Sequence, residues 1–507
     1  MALARTHSVA LLGVQGHLVD IEADLSDGLP GVSLVGLPDA ALAESRDRIR
    51  AAIVNSGETW PSRRITLALS PADLRKHGSR FDLALAAAVL AAAGTVPRAA
   101  LADLVVLGEL ALDGKVRAVR GVLPAVLTAA RAGLARVVVP VDNLAEAALV
   151  PDIAVCAAPT LADLVRHLRG EPCDVRVAEP RQPPPVASGP DLADVLGQAA
   201  GRRALEIAAA GGHHLFLTGP PGAGKTMLAE RLPGILPALD TDAALEVTAV
   251  HSVAGILPAD APLVCLPPFQ APHHTASVAA LAGGGSGVPR PGAVSCAHRG
   301  VLFLDEAPEF AAGALDALRE PMERGELSIA RAGGSFRFPA RFQLVMAANP
   351  CPCASAAGDA ACRCPSAVRR RYLARLSGPL LDRVDLRVVL FPVARAALLD
   401  EAVPAEPSAV VAARVASARA TAAERLRSTR WKTNAEVPGP VMRSRWRPPA
   451  RALTEATRAL DRGALSARGF DRVLRAAWTI ADLAGRAMPD SGDVTEAVGF
   501  RLGEVAA

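Results

Sequence analysis

Residues 213–226 read HHLFLTGPPGAGKT: an apolar run, Leu215, Phe216 and Leu217, ends in a glycine-rich turn, and a Lys-Thr pair then opens a helical pattern from Met227 to Leu232. The pattern G-x-x-x-x-G-K-[ST] between a strand and a helix is that of a phosphate-binding loop. Gly219, Gly222 and Gly224 lack a Cβ. The loop of Gly219, Pro220, Pro221, Gly222, Ala223 and Gly224 can therefore wrap a polyphosphate with successive N–H groups, and the positive end of the following helix adds to the attraction. Lys225 is expected to reach the β and γ phosphates of ATP, and the Thr226 hydroxyl to ligate Mg²⁺.

Further along, VLFLDE (301–306) is a buried-strand run that ends in two carboxylates. Strand-end acids beside a phosphate loop assign Asp305 to Mg²⁺ and Glu306 to orienting and deprotonating the attacking water. A third apolar run, FQLVMAAN, ends in Asn349, which suits a sensor of the γ-phosphate or of that water. In SGPLLDRVDLRVVLF, Arg383 falls between a helix end and a strand. An arginine there can reach a neighbouring subunit's site and offset charge on the transferred phosphoryl group, which predicts an oligomer.

The chain has 507 residues, too many for one core at roughly 100–200 residues per domain, so about three domains are expected. Aromatic residues make up only 3%, which argues against base stacking as the main binding mode. A net charge of +4 excludes neither nucleic acid nor protein partners, since local clustering of Arg and Lys decides. MALARTHSVALLG lacks the organisation of an export signal, and the longest apolar stretch, Leu83 to Ala93, is too short for a bilayer. A cytoplasmic protein with no membrane association is expected. Of eight cysteines, Cys156, Cys173, Cys265 and Cys296 are scattered, which fits a reducing compartment better than a disulfide framework.

Residues 1–170 alternate strand-like runs (Val32 to Val35, Ile65 to Leu69, Val105 to Leu107, Val137 to Val139) with helical patterns (Ala40 to Asn55, Asp82 to Ala93, Pro124 to Ala132), which makes an α/β domain. Its stretches ITLALSPADLRKHGSRFDLALAAAVLAAAG and LGELALDGKVRAVRGVLPA resemble the Lon-protease-like, ribosomal-S5-type domain at the front of magnesium-chelatase-like ATPases. That resemblance implies a fold and no proteolysis, because Ser79 is the sole nearby hydroxyl and no lysine follows Gly121. A DNA-contacting or ring-organising role is expected instead. Residues 171–190 are proline-rich and aperiodic, so they read as a linker. A helix capped by Asp191 and closed by Gly211 and Gly212 then leads to the phosphate loop.

The order of phosphate loop, Asp-Glu strand, Asn sensor and LLDR arginine is that of an AAA+ ATPase. The strings APHHTAS, GGGSGVPRPGAVSCAHRGVLFLDEAPEF, LREPMERGELSIARAGGSFRFPARFQLVMAANPCPC and SGPLLDRVDL closely resemble the ComM (YifB) family of magnesium-chelatase-like ATPases, over nearly the whole chain. The resemblance implies an ATP-driven ring helicase, a hexamer, that promotes branch migration when incoming DNA is recombined. The implied architecture is a P-loop AAA+ core at 191–395, behind the Lon-like domain and before a C-terminal α-helical lid at 396–507. LSARGFDRVLRAAWTIADLAG resembles the lid helix that carries the second sensor, which gives Arg468 the γ-phosphate contact, with Arg472 as the fallback. A motor subunit for Mg²⁺ insertion into a porphyrin is the rival reading.

Three other stretches carry chemistry. Residues 326–338 alternate around a Gly-Gly turn and predict a β-hairpin with Arg331 and Arg337 on its arms, either basic machinery that pushes a phosphate backbone or a solvated surface hairpin. In the insertion at 270–292, His273 and His274 read as structural side chains rather than metal ligands. Cys351, Cys353, Cys362 and Cys364 pair within one loop, which matches a structural Zn²⁺ site; free thiols, a redox role or nearby Asp359 are the competitors. The C-terminal arginines Arg414, Arg419, Arg425, Arg427, Arg430, Arg443, Arg445 and Arg447, with Lys432, Trp431 and Trp446, read equally as a DNA-contacting surface or as the solvated face of helices.

Overall fold

Alternate residues of the stretch Gln15–Ser26 are apolar, and Val19, Ile21, Ala23 and Leu25 are all buried, which is the signature of a strand with one face on a core. In the computed structural model, which describes residues 2–39, 42, 44–177, 189–258, 262–285, 288–331, 334–353, 362–393 and 405–505, this strand (β2) pairs antiparallel along its length with β1, Ala2–Leu12. The remaining strands of the first sheet are β3 (Gly31–Val35), β4 (Arg64–Ser70), β5 (Leu104–Val106), β8 (Arg136–Pro140), β9 (Ala154–Ala158) and β10 (Arg176–Val177), in the order β10-β9-β8-β5-β1-β2-β4-β3. A short ribbon, β6 (Glu109–Leu110) with β7 (Val116–Arg117), stands apart. The helix Asp82–Ala92 lies against β1 and β2 and is buried at every position, so its sequence is apolar all round.

The expected linker begins later than its composition suggests. Residues 171–177 still belong to the first sheet, because β10 pairs with β9, and residues 178–188 fall outside the described set. Asp191 does cap, but it caps a single turn, Leu192–Asp194. The long helix starts at Ala199 after Gln198 in the left-handed conformation, and it ends at Gly211 with left-handed Gly212 beyond.

The second sheet is parallel throughout and contains β11 (Leu215–Thr218), β12 (Phe269–Gln270), β15 (Val301–Leu304), β18 (Gln343–Ala348) and β19 (Leu386–Val389), ordered β12-β15-β18-β11-β19. Two antiparallel ribbons are inserted: β13 (Gly283–Gly284) with β14 (Arg290–Pro291), and β16 (Glu326–Arg331) with β17 (Gly334–Pro339). The second ribbon buries Leu327, Phe336 and Phe338 while Arg331 and Arg337 stay exposed; its turn at 332–333 is outside the described residues.

One continuous apolar cluster joins this sheet to the C-terminal helices. It runs from Leu215, Leu217, Val345 and Val388 to Val411 and Val415 of Ser408–Leu426, Val473 and Ile480 of Ala467–Leu483, and Phe500 of Ser491–Leu502. Those helices therefore cover one face of the sheet; residues 394–404, where the boundary is expected, lie outside the described set. The first domain docks on the second through the helices Val122–Arg131 and Thr241–Ala254. There Gly121 N–H donates to Ser252 O at 3.2 Å and the Ser252 hydroxyl donates to the buried Glu146 carboxylate. A second contact is a backbone bridge from Gly13, at the β1–β2 turn, to Arg337 of β17, where a Cβ on Gly13 would collide with the Arg337 carbonyl. Among the described residues no helix is long and apolar enough to cross a membrane.

Candidate active site

The central strand β11 delivers the phosphate loop, and the helix Lys225–Ile235 follows it. Its glycines are needed for two different reasons. Gly222 and Gly224 hold φ of 78° and 83°, the left-handed region that side chains avoid, with open space where a Cβ would stand. Gly219 is required by packing, since a Cβ there would come 2.5 Å from Leu390 O at the end of β19. Gln198 steadies the loop from outside, its amide nitrogen donating to Ala223 O at 3.0 Å and Phe391 O at 2.6 Å. Sequence patterns do not flag this glutamine, because its left-handed backbone and both partners emerge only in the fold.

The Lys225 ammonium donates to Gly219 O (2.7 Å), Pro220 O (2.9 Å) and Asn349 Oδ1 (3.0 Å). Burial lowers its pKa, and Asp305 and Glu306 oppose that shift. Asn349 follows β18 and Asp305 follows β15, so both stand at the same sheet edge as the loop. The Thr226 hydroxyl donates to Asp305 Oδ2 at 2.8 Å, which sets two oxygen ligands side by side, as a hard divalent cation requires. Glu306 has a left-handed backbone, φ 50°, and its N–H donates to Asp305 Oδ1 at 2.9 Å. Its carboxylate lies 3.1 Å from His274 Nδ1. Five of the expected residues are thus gathered at one edge: Lys225, Thr226, Asp305, Glu306 and Asn349.

Arg383, Arg468 and Arg472 are not among them. They line a cavity of about 230 Å³ with His214, Asp385 and Glu323. His214 precedes β11 and Asp385 precedes β19, so this cavity opens at the opposite end of the same parallel strands. At about 3.3 Å per residue, the four-residue strand alone puts roughly 13 Å between the two ends. A contact from Arg468 or Arg472 to the loop of its own chain is therefore ruled out by the strand direction. Arg472 is committed to the buried Asp385 at 2.6 Å. Burial opposes ionisation there, yet Arg472 and His213 hold the Asp385 carboxyl well below the usual range. Burial takes the neighbouring His214 down to about 4. Arg383 pairs with Glu323 and donates to Pro379 O at 2.7 Å, whereas Arg468 makes no ion pair among the described residues.

Directly after Asn349, the Sγ atoms of Cys351, Cys353, Cys362 and Cys364 all lie within 4.8 Å of one another. Zinc–thiolate bonds of about 2.3 Å imply sulfur–sulfur edges of about 3.8 Å, which this cluster spans. The Cys364 backbone N–H, followed by the Cys351 thiol, lowers Cys362 to about 7, near the point at which a thiolate is available at neutral pH. Asp359 lies outside the described residues.

Several C-terminal arginines are spent inside the fold. Arg414 pairs with Glu206 at 2.6 Å, Arg419 donates to Ala209 O at 2.8 Å, and Arg425 pairs with Asp482 at 2.7 Å while lying 4.3 Å from the Trp478 ring centroid. Arg443 pairs with Asp471. These residues are structural ties, which removes them from any open basic surface. In the first domain the Ser79 hydroxyl donates to Glu109 and the buried Lys76 ammonium to Pro71 O, so they do not form a nucleophile–base pair.

Comparison with known proteins extends this geometry over the chain. The family described as "Magnesium chelatase, subunit ChlI" matches residues 191–398, "Subunit ChlI of Mg-chelatase" matches 21–143, and "Magnesium chelatase, subunit ChlI C-terminal" matches 405–501. An uncharacterized protein of Mycobacterium tuberculosis is 57% identical over 502 residues, 99% of each chain. YifB of Escherichia coli is 41% identical over 502 residues, covering 99% of this chain and 97% of its own. Competence protein ComM of Haemophilus influenzae is 41% identical over 507 residues, covering 99% and 98%. With a phosphate loop, strand-end acids and an asparagine on one edge of a five-stranded parallel sheet, and relatives matching from end to end, the chain belongs to the ComM/YifB family of magnesium-chelatase-like AAA+ proteins.

Proposed function

We propose that this protein is a cytoplasmic, Mg²⁺-dependent ATPase that assembles as a ring, a hexamer, and translocates on or remodels DNA, with branch migration during recombination as its task. The observation that carries the reading is the division of the site between the two ends of one sheet: Lys225, Thr226, Asp305, Glu306 and Asn349 at one end, Arg383 and Arg468 at the other. A second copy, presenting its arginine end to the first copy's loop, would complete the set. Lys225 binds the β and γ phosphates, Asn349 holds Lys225 and the attacking water in line, and Glu306 takes the proton from that water. Thr226 and Asp305 would hold Mg²⁺, which supplies charge neutralisation on the phosphate oxygens. Arg383 and Arg468 of the adjoining copy stabilise charge on the transferred group.

DNA is the favoured load because Arg331 and Arg337 stay exposed on a hairpin that leaves the sheet just before the Asn349 strand, and because a relative is named as a competence protein. The decisive experiment is ATPase turnover with single-stranded, duplex and four-way-junction DNA at two salt concentrations, since phosphate contacts weaken steeply with salt. Stimulation by DNA, strongest with the junction, is expected. Turnover indifferent to every DNA but raised by a metal–porphyrin partner would favour the metal-insertion motor that the matched family description suggests. The cysteine cluster is assigned to structural zinc, so protein purified without chelator is expected to carry one equivalent by elemental analysis, and Cys362→Ser to lose it. Metal-free wild-type protein would end that assignment.

A further inference from the structure

His274 reaches Glu306 from the sheet's edge. Strand β12 runs parallel to β15, with Gln270 level with Leu302, and the chain beyond it turns back so that His274 Nδ1 stands 3.1 Å from Glu306 Oε2. The turn is built to hold that ring. Ala276 N–H donates to His273 O at 2.9 Å, His273 Nδ1 lies 2.8 Å from Thr275 Oγ1, and the two imidazole rings lie 4.1 Å apart at 33°. Beyond the turn, Ser277 caps the helix Val278–Ala282 through Ala280 N–H at 3.1 Å, and that helix feeds β13.

Strand β13 lies on the basic hairpin. A Cβ on Gly283 would come 3.1 Å from Ile329 Cδ1, and one on Gly284 3.6 Å from the Arg331 guanidinium, both on β16. Beneath them Leu281, Leu304 and Leu327 share one apolar cluster, with Ile329 packed against it. A short, packed path therefore joins the carboxylate that would activate water to the arginine that would meet a phosphate backbone.

We propose that His274 is a positioning residue that holds Glu306 out of use until a nucleic-acid backbone engages the Arg331 hairpin, whose movement through β13 and the turn releases the carboxylate. The inference rests on the proposed ATPase reading. A carboxylate engaged by an imidazole is a poorer proton acceptor than a free one, and a part-exposed pair of this kind is weak enough to be broken by ligand binding.

The test measures steady-state ATPase of full-length protein with and without duplex DNA for wild type, His274→Ala and His274→Gln, with thermal melting to establish folding. His274→Ala is expected to raise the DNA-free kcat about two- to five-fold at unchanged KM, the range of one exposed ion pair, and to shrink the stimulation by DNA correspondingly. His274→Gln, which keeps a donor, is expected to lie between. In the His274→Ala background, adding Arg331→Ala is expected to change the DNA-stimulated rate no further. A DNA-free rate that stays level or falls in a folded His274→Ala protein overturns the proposal, as does full additivity of the two substitutions. Wild type that DNA fails to stimulate would instead strike the DNA reading, while the DNA-free rise would still report on the His274–Glu306 contact.

Discussion

Glu306→Gln is expected to leave ATP binding intact and to cut turnover by about 10²–10⁴-fold, the usual worth of a positioned general base. The amide has the size of the carboxylate and keeps an oxygen toward His274, so the left-handed turn at φ 50° and the neighbouring Thr226–Asp305 contact have no reason to move. What is lost is an atom able to take a proton. Equilibrium nucleotide binding and single-turnover hydrolysis on the same preparation separate the two properties. Ordinary turnover by the glutamine variant would remove Glu306 as the base, and loss of binding would make it a structural group.

Arg383→Ala is expected to abolish hydrolysis by the assembled protein, by about 10³–10⁵-fold if the arginine acts as such residues do elsewhere, while each chain still binds nucleotide. The distance between the two ends of β11 requires this effect to pass between chains. Mixing is therefore the sharper measurement. Arg383→Ala chains retain Glu306, and Glu306→Gln chains retain Arg383, so a mixture of the two silent proteins should recover activity at those junctions where intact groups meet. A silent mixture that still co-assembles, or a dilute single chain as active as the assembly, would overturn the assignment. The Arg383–Glu323 pair and the Pro379 carbonyl must be given up when the guanidinium engages phosphate, so Glu323→Gln offers a milder perturbation in the opposite direction.

The nucleotide site was legible because each of its parts is local. A glycine turn between strand and helix, two acids after VLFL and an asparagine after FQLVMAA need only the rule that parallel strands present their carboxyl ends together. The first hairpin was less legible. Strand β2 alternates cleanly, but β1 turns Thr6 and Ser8 inward, and their hydroxyls are satisfied only by Leu104 O and Val106 O once β5 is in place. The His274–Glu306 contact was hidden for the same reason, since it depends on β12 and β15 becoming neighbours. The arginine-rich end misled in part because charge counting along the chain cannot see that Glu206 and Asp482 consume Arg414 and Arg425. Arg468 was located on the correct kind of helix, yet its distance from the loop follows from strand direction, which no local pattern encodes.

The bridge between Gly13 and Arg337 gives the amino-terminal domain a share in any mechanical stroke. A hairpin hinged at its base works as a lever only against a fulcrum, and here the first tight turn of the polypeptide supplies one. Shortened forms beginning near residue 191 would thus resemble an oar without its rowlock, still able to consume fuel but with nothing to bear against.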